Sequence, residues 1–257
     1  KSPIRELTEL QANLLERELQ HSFPQLKVFV AIRYWKPSTE ETVLKIKQDG
    51  FEKIILLPLY PQFSFTTTSS SLNEWNRQTQ KHNLTVPSVL IEYFYSNELY
   101  IQSLVERINE GMKLYGDIGE ERVLLLFSAH GVPVSIIKKG DRYQQHIEET
   151  VRLIVEKGKW KSPHYLCYQS KVGPMKWLQP SLDATIHKFA EEKKDNLLIV
   201  PVAFVTDHIE TLHEINIETR EVAQHLGIRR FEMTQGLNDS PAFILALSEL
   251  VKEKIGV

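Results

Sequence analysis

LLIVPVAFVTDHIETLHEINIE, residues 197–218, sets a strand directly against a helix. Residues 197–204 are an apolar run of strand length, and Asp207 is a residue type that caps helix starts. In a helix, Asp207, Glu210, Glu214 and Glu218 fall at spacings of three, four and four and line one stripe. Four carboxylates on one stripe repel one another unless a cation, protons or an opposing positive group compensates. His208 and His213 flank the stripe. A solvated acidic face is the plain alternative. Against it stands a further histidine, His130 in SAHG, at the end of another apolar strand.

Strand–helix alternation extends from this unit in both directions. Residues 4–20 carry Leu7, Leu10, Leu14 and Leu15 at helical spacing, and 27–34 reads as a strand. Ser38-x-x-Glu41 is a capping box opening a helix that runs to about Asp49 and stops at Gly50. Residues 53–60 are a nearly continuous apolar run, as in a strand covered on both faces. A Ser/Thr segment at 64–71 leads into a helical stretch, 86–94 is a strand and 97–115 a helix. After a boundary at 116–120, strands at 122–127 and 165–169 alternate with helices at 143–156 and 182–192. The last strand is 228–233, and Ser240 with Pro241 at N1 opens a final helix ending near Lys254. The alternation predicts an α/β fold of two similar Rossmann-like domains, residues 1–116 and 117–236, with parallel sheets and a cleft between them. Ligands of such sheets bind beyond the carboxyl ends of strands. LYPQFS (59–64), SAHG (128–131), YQSKVGP (168–174) and AFVTDHIE (203–210) all sit at such ends.

Composition narrows the function. With 257 residues and 42% hydrophobic content the chain can bury a substantial core. A net charge of −2, without a basic patch interleaved with aromatics, argues against a nucleic-acid partner. The single cysteine, Cys167, excludes an intramolecular disulfide and a multi-cysteine metal site. No run approaches the ~20 apolar residues of a membrane span and no signal peptide is visible, so the expected location is cytoplasmic. GxGxxG, GxxxxGK[ST] and HExxH are absent, as is the GxSxG turn that would make Ser128 a nucleophile. A lone histidine is more often a core or capping residue. Paired with carboxylates on a neighbouring strand end, His130 becomes a candidate metal ligand or proton acceptor.

LLPLYPQFSFTTTSSSLNEW, LLFSAHGVP, YQSKVGPMKWLQP and VPVAFVTDHIETLHEINIE together resemble the ferrochelatases, which insert ferrous iron into a porphyrin to make haem. The resemblance runs from SPI at residues 2–4 to LNDSPAF at 237–243. It implies a porphyrin in the interdomain cleft and a C-terminal helix, within residues 237–257, that returns to the first domain. It also implies a lyase with porphyrin and ferrous iron as substrates and no prosthetic group. The expected reaction makes protohaem from protoporphyrin IX with release of two protons. Coproporphyrin, or another tetrapyrrole chelation, is the near alternative, and a non-catalytic porphyrin- or haem-binding protein the alternative of another class. A carrier would need no acidic stripe opposite His130.

Two pyrrole N–H groups must leave as iron enters, so the chemistry needs a proton acceptor, metal-handling groups and an apolar clamp. By resemblance His130 takes the pyrrole protons or presents iron, and Glu210 is its opposing carboxylate; both are candidate metal ligands. Asp207, Glu214 and His208 then form a proton or metal path, on a helix that the family often widens by a π-turn. Arg33 and Tyr34 match an Arg-Tyr pair near the porphyrin propionates. Tyr60, Gln62 and Ser64 match a YPQ-x-S loop beside the cavity, and Trp177 and Phe204 suit its apolar walls. Core packing is the alternative for each aromatic. Lys171 and Gly173 shape their loop. Asn216 stands where relatives often carry aspartate, which removes an outer carboxylate, and His213 where they often carry tyrosine. Phe65 occupies the position of an iron–sulfur cysteine in animal relatives, and one cysteine cannot build a Cys₄ cluster. Family members carry a strand, a helix and an apolar lip before SPI, and the lip helps some of them touch membranes. Without that segment the first sheet would be a strand short and the cavity would lack a wall. Peripheral membrane contact, and monomer against homodimer, stay open.

Overall fold

The computed structural model describes residues 3–170 and 173–256; the expectations for Ser2 and Lys171 concern residues outside them. Helix α1 (Ile4–Gln20) buries Gln11, Leu15 and Leu19. Helix α2 (Thr39–Asp49) begins with the expected capping box: Glu41 N–H donates to Ser38 Oγ and Ser38 N–H to Glu41 Oε2. It ends at Gly50, whose φ of 73° is left-handed.

Strands β1 (Ile54–Leu56) and β2 (Ser88–Leu90) pair in parallel and are far shorter than the apolar runs that contain them. Pro58 and Pro61 carry no N–H to continue a ladder. Residues 27–34 form no strand. Val28 N–H donates instead to Glu16 Oε2 at 2.7 Å and Ile32 N–H to Pro37 O at 2.8 Å, so those donors never meet a neighbouring strand. A π-helical segment (Phe65–Ser69) leads into α3 (Ser70–Lys81), and Asn97 caps α4 (Glu98–Lys113).

The second sheet is larger. Its strands are β3 (Leu124–His130), β4 (His164–Gln169), β5 (Asn196–Pro201) and β6 (Arg230–Met233), all parallel in the order β4-β3-β5-β6. The helices between them are α5 (Val134–Lys138), α6 (Tyr143–Gly158), α7 (Leu182–Glu191), a second π-helical segment (Glu210–Thr219) and α8 (Arg220–His225). Helix α9 (Pro241–Ile255) closes the chain, capped by Ser240, and packs on α1 and α4.

Alternate residues of the central strands enter different cores, as the period of two requires. Leu125, Phe127, Leu198 and Val200 join the cluster that holds Leu19, Leu104, Ile147 and Phe243. Leu124, Leu126, Leu197 and Ile199 join Ile186, Phe189 and Ile215 on the opposite face. Each such fully buried side chain stabilises the fold by about 1.5–3 kcal/mol. A strand covered on both faces therefore reads as an unbroken apolar run. In α4, a Cβ on Gly111 would lie 2.9 Å from Leu198 Cδ1, so glycine sets how closely this helix approaches β5. Among the described residues no helix is long and apolar enough to cross a membrane.

Candidate active site

His130 is the last residue of β3, three places beyond the strand end expected from the apolar run. The ladder persists because polar side chains there find partners within the sheet. Ser128 Oγ donates to Gln169 Oε1 at 2.7 Å, and Gly131 N–H donates to Gln169 O at 2.8 Å. A Cβ on Gly131 would sit 2.8 Å from that same carbonyl oxygen, so this turn accepts only glycine without a shift. The Tyr143 hydroxyl donates to His130 O at 2.9 Å and fixes the peptide that carries the imidazole.

The neighbouring strand β5 runs out opposite Ser128 and continues through Phe204 into the second π-helical segment. Five-residue spacing is visible at its far end, where Arg220 N–H bonds to Ile215 O. Its first residue, Glu210, directs Oε2 to within 3.4 Å of His130 Nδ1 and 4.0 Å of His208 Nε2. All three of these atoms are shut off from solvent and make no hydrogen bond. The side chains of His130 and Glu210 are nevertheless 39% and 44% exposed, so a ligand can reach the pair. Phe204 packs near both imidazoles, with ring centroids 6.1 Å from His130 and 4.3 Å from His208.

The electrostatics separate the three groups. His130 holds the Glu210 carboxyl below its ordinary range, against the opposing effect of burial, and His208 adds a smaller pull. Burial pushes His208 down, against the attraction of Glu210. Glu210 is therefore an anion, and His208 a neutral ring, near pH 7.

Asp207 departs from the stripe. Asp207 does not cap the helix: Oδ1 accepts from Gly236 N–H at 3.1 Å and Oδ2 from Asn238 Nδ2 at 2.8 Å, which anchors the 236–238 loop. The helix begins later, without a side-chain cap. Glu214 accepts from Ser170 N–H at 2.9 Å and Ser170 Oγ at 2.7 Å, and Glu218 pairs with His213 at 3.3 Å. Glu214 nevertheless lines two hollows. One, of about 260 Å³, is shared with Ile209, Glu210 and His213; the other, of about 340 Å³, with Ser170, Asp183 and Glu218. Among the described residues, no group of three or more His, Cys, Asp or Glu is arranged to hold a metal.

The expected ring-binding residues divide in two. Arg33 lies over the Tyr34 ring at 4.5 Å, reaches Ser70 Oγ at 3.4 Å and faces Glu74 at 3.9 Å, while Tyr34 is 78% exposed. Tyr60 is half-buried and bonds Ser71, with its phenol raised by burial. Trp177 bridges to Pro133. Gln62 and Ser64, by contrast, are internal rather than surface groups. The Gln62 amide donates to Val202 O at 3.1 Å and Thr150 Oγ1 at 3.2 Å, and Ser64 Oγ to Asp141 Oδ2 at 2.9 Å. Asp141 and Tyr143 escaped the sequence reading, and Ser170, at φ 61°, entered it only as part of the YQSKVGP block. Gly140-Asp141 directly before a helix carried a turn signal for the first of them.

The ferrochelatase family model matches residues 1–255. A ferrochelatase of Geotalea daltonii is 44% identical over 256 residues, spanning 100% of this chain and 78% of that protein. One from Citrifermentans bemidjiense is 46% identical over 252 residues (98% and 78%), and one from Gloeobacter violaceus 41% over 261 (100% and 79%). Among solved structures, SirB from Bacillus subtilis with Fe³⁺ superposes with a TM-score of 0.67 at 16% identity, covering 100% of this chain and 92% of that one. CbiX, described as the terminal enzyme for siroheme biosynthesis in denitrifying bacteria, gives 0.62 at 12%, covering 98% and 94%. At such identities the likeness shows the fold alone, an α/β fold with parallel sheets.

Proposed function

The chain belongs to the ferrochelatase family, and from that premise we propose a division of labour among the residues of its site. As a ferrochelatase it is a lyase of haem biosynthesis, acting on a porphyrin and ferrous iron. In our reading the porphyrin is protoporphyrin IX and His130 is the proton acceptor. Iron enters as the two pyrrole N–H bonds break; His130 takes the protons in turn and the metal takes the nitrogen lone pairs.

One observation carries this reading: His130 Nδ1 and Glu210 Oε2, shut off from solvent and without a hydrogen bond, face each other at 3.4 Å. A carboxylate on the Nδ1 side favours the tautomer that leaves the Nε2 lone pair free for a pyrrole proton. The same carboxylate stabilises the imidazolium once it forms. Glu210 then passes protons into the hollow it shares with Glu214. His208, neutral and bonded to Thr211, orients Glu210. Asp207 holds the loop beneath and takes no part in transfer. With two protein donors near the ring, iron keeps positions open for four porphyrin nitrogens, which suits delivery rather than storage. The reading needs no prosthetic group and no iron–sulfur cluster. Arg33 and Tyr34 meet the propionates, Tyr60 stands beside the ring, and Trp177 and Phe204 wall it.

An anaerobic absorbance assay with Fe²⁺ or Zn²⁺ and a soluble dicarboxylate porphyrin tests this reading. His130→Ala and Glu210→Ala should abolish the collapse of four visible bands to two, while fluorescence quenching shows porphyrin still binding. Retained turnover in His130→Ala would remove the proposed acceptor.

A further inference from the structure

Asp141 is 4% exposed. Its Oδ2 accepts from Ser64 Oγ at 2.9 Å and Phe65 N–H at 2.6 Å, and its Oδ1 from Tyr143 N–H at 2.8 Å. Tyr143 is itself 5% exposed and donates its hydroxyl to His130 O. A buried carboxylate is tolerated when its lone pairs are filled, and here the donors come from two segments more than 75 residues apart. Further bonds run beside it: Phe63 N–H to His146 Nδ1 at 3.2 Å, and the Gln62 amide to Thr150 and Val202. Residues 62–65 are thus tied both to α6 and to the segment that leads into Phe204 and Glu210.

We propose that Asp141 and Tyr143 are positioning residues for metal insertion: a buried chain Ser64–Asp141–Tyr143–His130 that fixes the imidazole relative to Glu210. The inference rests on His130 being the proton acceptor. Asp141 sets where α6 begins, α6 sets where the Tyr143 hydroxyl lies, and that hydroxyl sets the pitch of the His130 peptide. Neither residue touches the reacting atoms. Misplacement of a reacting group by about 1 Å costs up to ~10²-fold in rate, so a link of this kind acts on kcat.

The test is a double-mutant cycle in the full chain with Tyr143→Phe, Asp141→Asn and both, assayed with Zn²⁺ and a soluble dicarboxylate porphyrin beside His130→Ala. Tyr143→Phe keeps the core ring and removes one hydroxyl. It should lower kcat about tenfold, equivalent to ~1.4 kcal/mol, with porphyrin KM within about twofold. Asp141→Asn should lower kcat as well, and the double variant should be no slower than about the slower single one. Wild-type kcat in both single variants, with or without a lower unfolding temperature, would overturn the link, as would losses that multiply. If His130→Ala is inactive while Tyr143→Phe runs at full rate, this inference alone falls. If His130→Ala keeps its turnover, the proton-acceptor reading falls and this one with it.

Discussion

Two π-helical segments, residues 65–69 and 210–219, each follow a parallel strand of the fold, yet their first turns are built in opposite ways. In the first, Ser64 caps Thr66 N–H, and Asp141 receives both the Ser64 hydroxyl and the Phe65 N–H. In the second no side chain caps the start, and Glu210 turns its Oε2 toward two histidines without completing a hydrogen bond. A capped start is stable and chemically inert. An uncapped start leaves a carboxylate oxygen free for protons or metal, at a cost in stability that the surrounding core must offset. In the 59–64 loop Gln62 and Ser64 are therefore buried and fully engaged, whereas at the second segment a carboxylate oxygen is left without a hydrogen bond.

The two segments should differ most in response to substitution at Glu210. Glu210→Gln keeps the shape and removes the charge beside His130; turnover should fall by about 10²–10⁴-fold with little change in unfolding midpoint. A large loss of stability with retained rate would reverse the roles of the two segments. Next comes Asp141→Ala, which strands three donors inside the protein. Chemical denaturation should show a loss of about 3 kcal/mol or more.

A pH effect on stability follows at the same loop. Burial, with Arg142 nearby, lowers His146 from 6.5 to about 4, against the opposing pull of Asp141. The unfolded chain therefore binds this proton more readily than the folded one. The contribution of His146 is complete above about pH 6.5 and is lost as pH falls toward about 4. Denaturant titrations between these limits should flatten in His146→Gln; an unchanged slope would assign the acid loss to other groups. The smallest change is Ser64→Ala. Loss of the cap should lower stability by about 1 kcal/mol, while a loss near zero would mean that Asp141 alone holds the first segment.

Much of the fold was legible because its signals are local. The capping box at Ser38 and Glu41, the Gly50 stop and the Ser240-Pro241 start are contacts among residues a few places apart, and each appears as read. The apolar runs named the buried strands but overstated β1 and β2. A ladder also needs N–H groups, which Pro58 and Pro61 lack, and partners, which residues 27–34 do not find among the described residues. Within the site, His130 and Glu210 were nameable, and the structure brings them together. Asp207 leaves the stripe for the 236–238 loop, and Glu214, still beside Glu210 and Glu218, also meets Ser170; these partners lie 31 and 44 residues away and no helical spacing encodes them.

Local sequence was enough for the α/β alternation, for the strand ends where the unusual motifs stand, and for naming the histidine and carboxylate that the fold brings face to face. Periodicity, caps and breakers act over one or two turns and are written in neighbouring residues. The three-dimensional arrangement decided which carboxylate keeps an oxygen without a hydrogen bond. That choice depends on what lies opposite each side chain in three dimensions. Asn238 and Gly236 face Asp207, Ser170 faces Glu214, and an imidazole faces Glu210. A carboxylate given two N–H or O–H donors becomes an anchor; one given an imidazole that does not complete a bond keeps its reactivity.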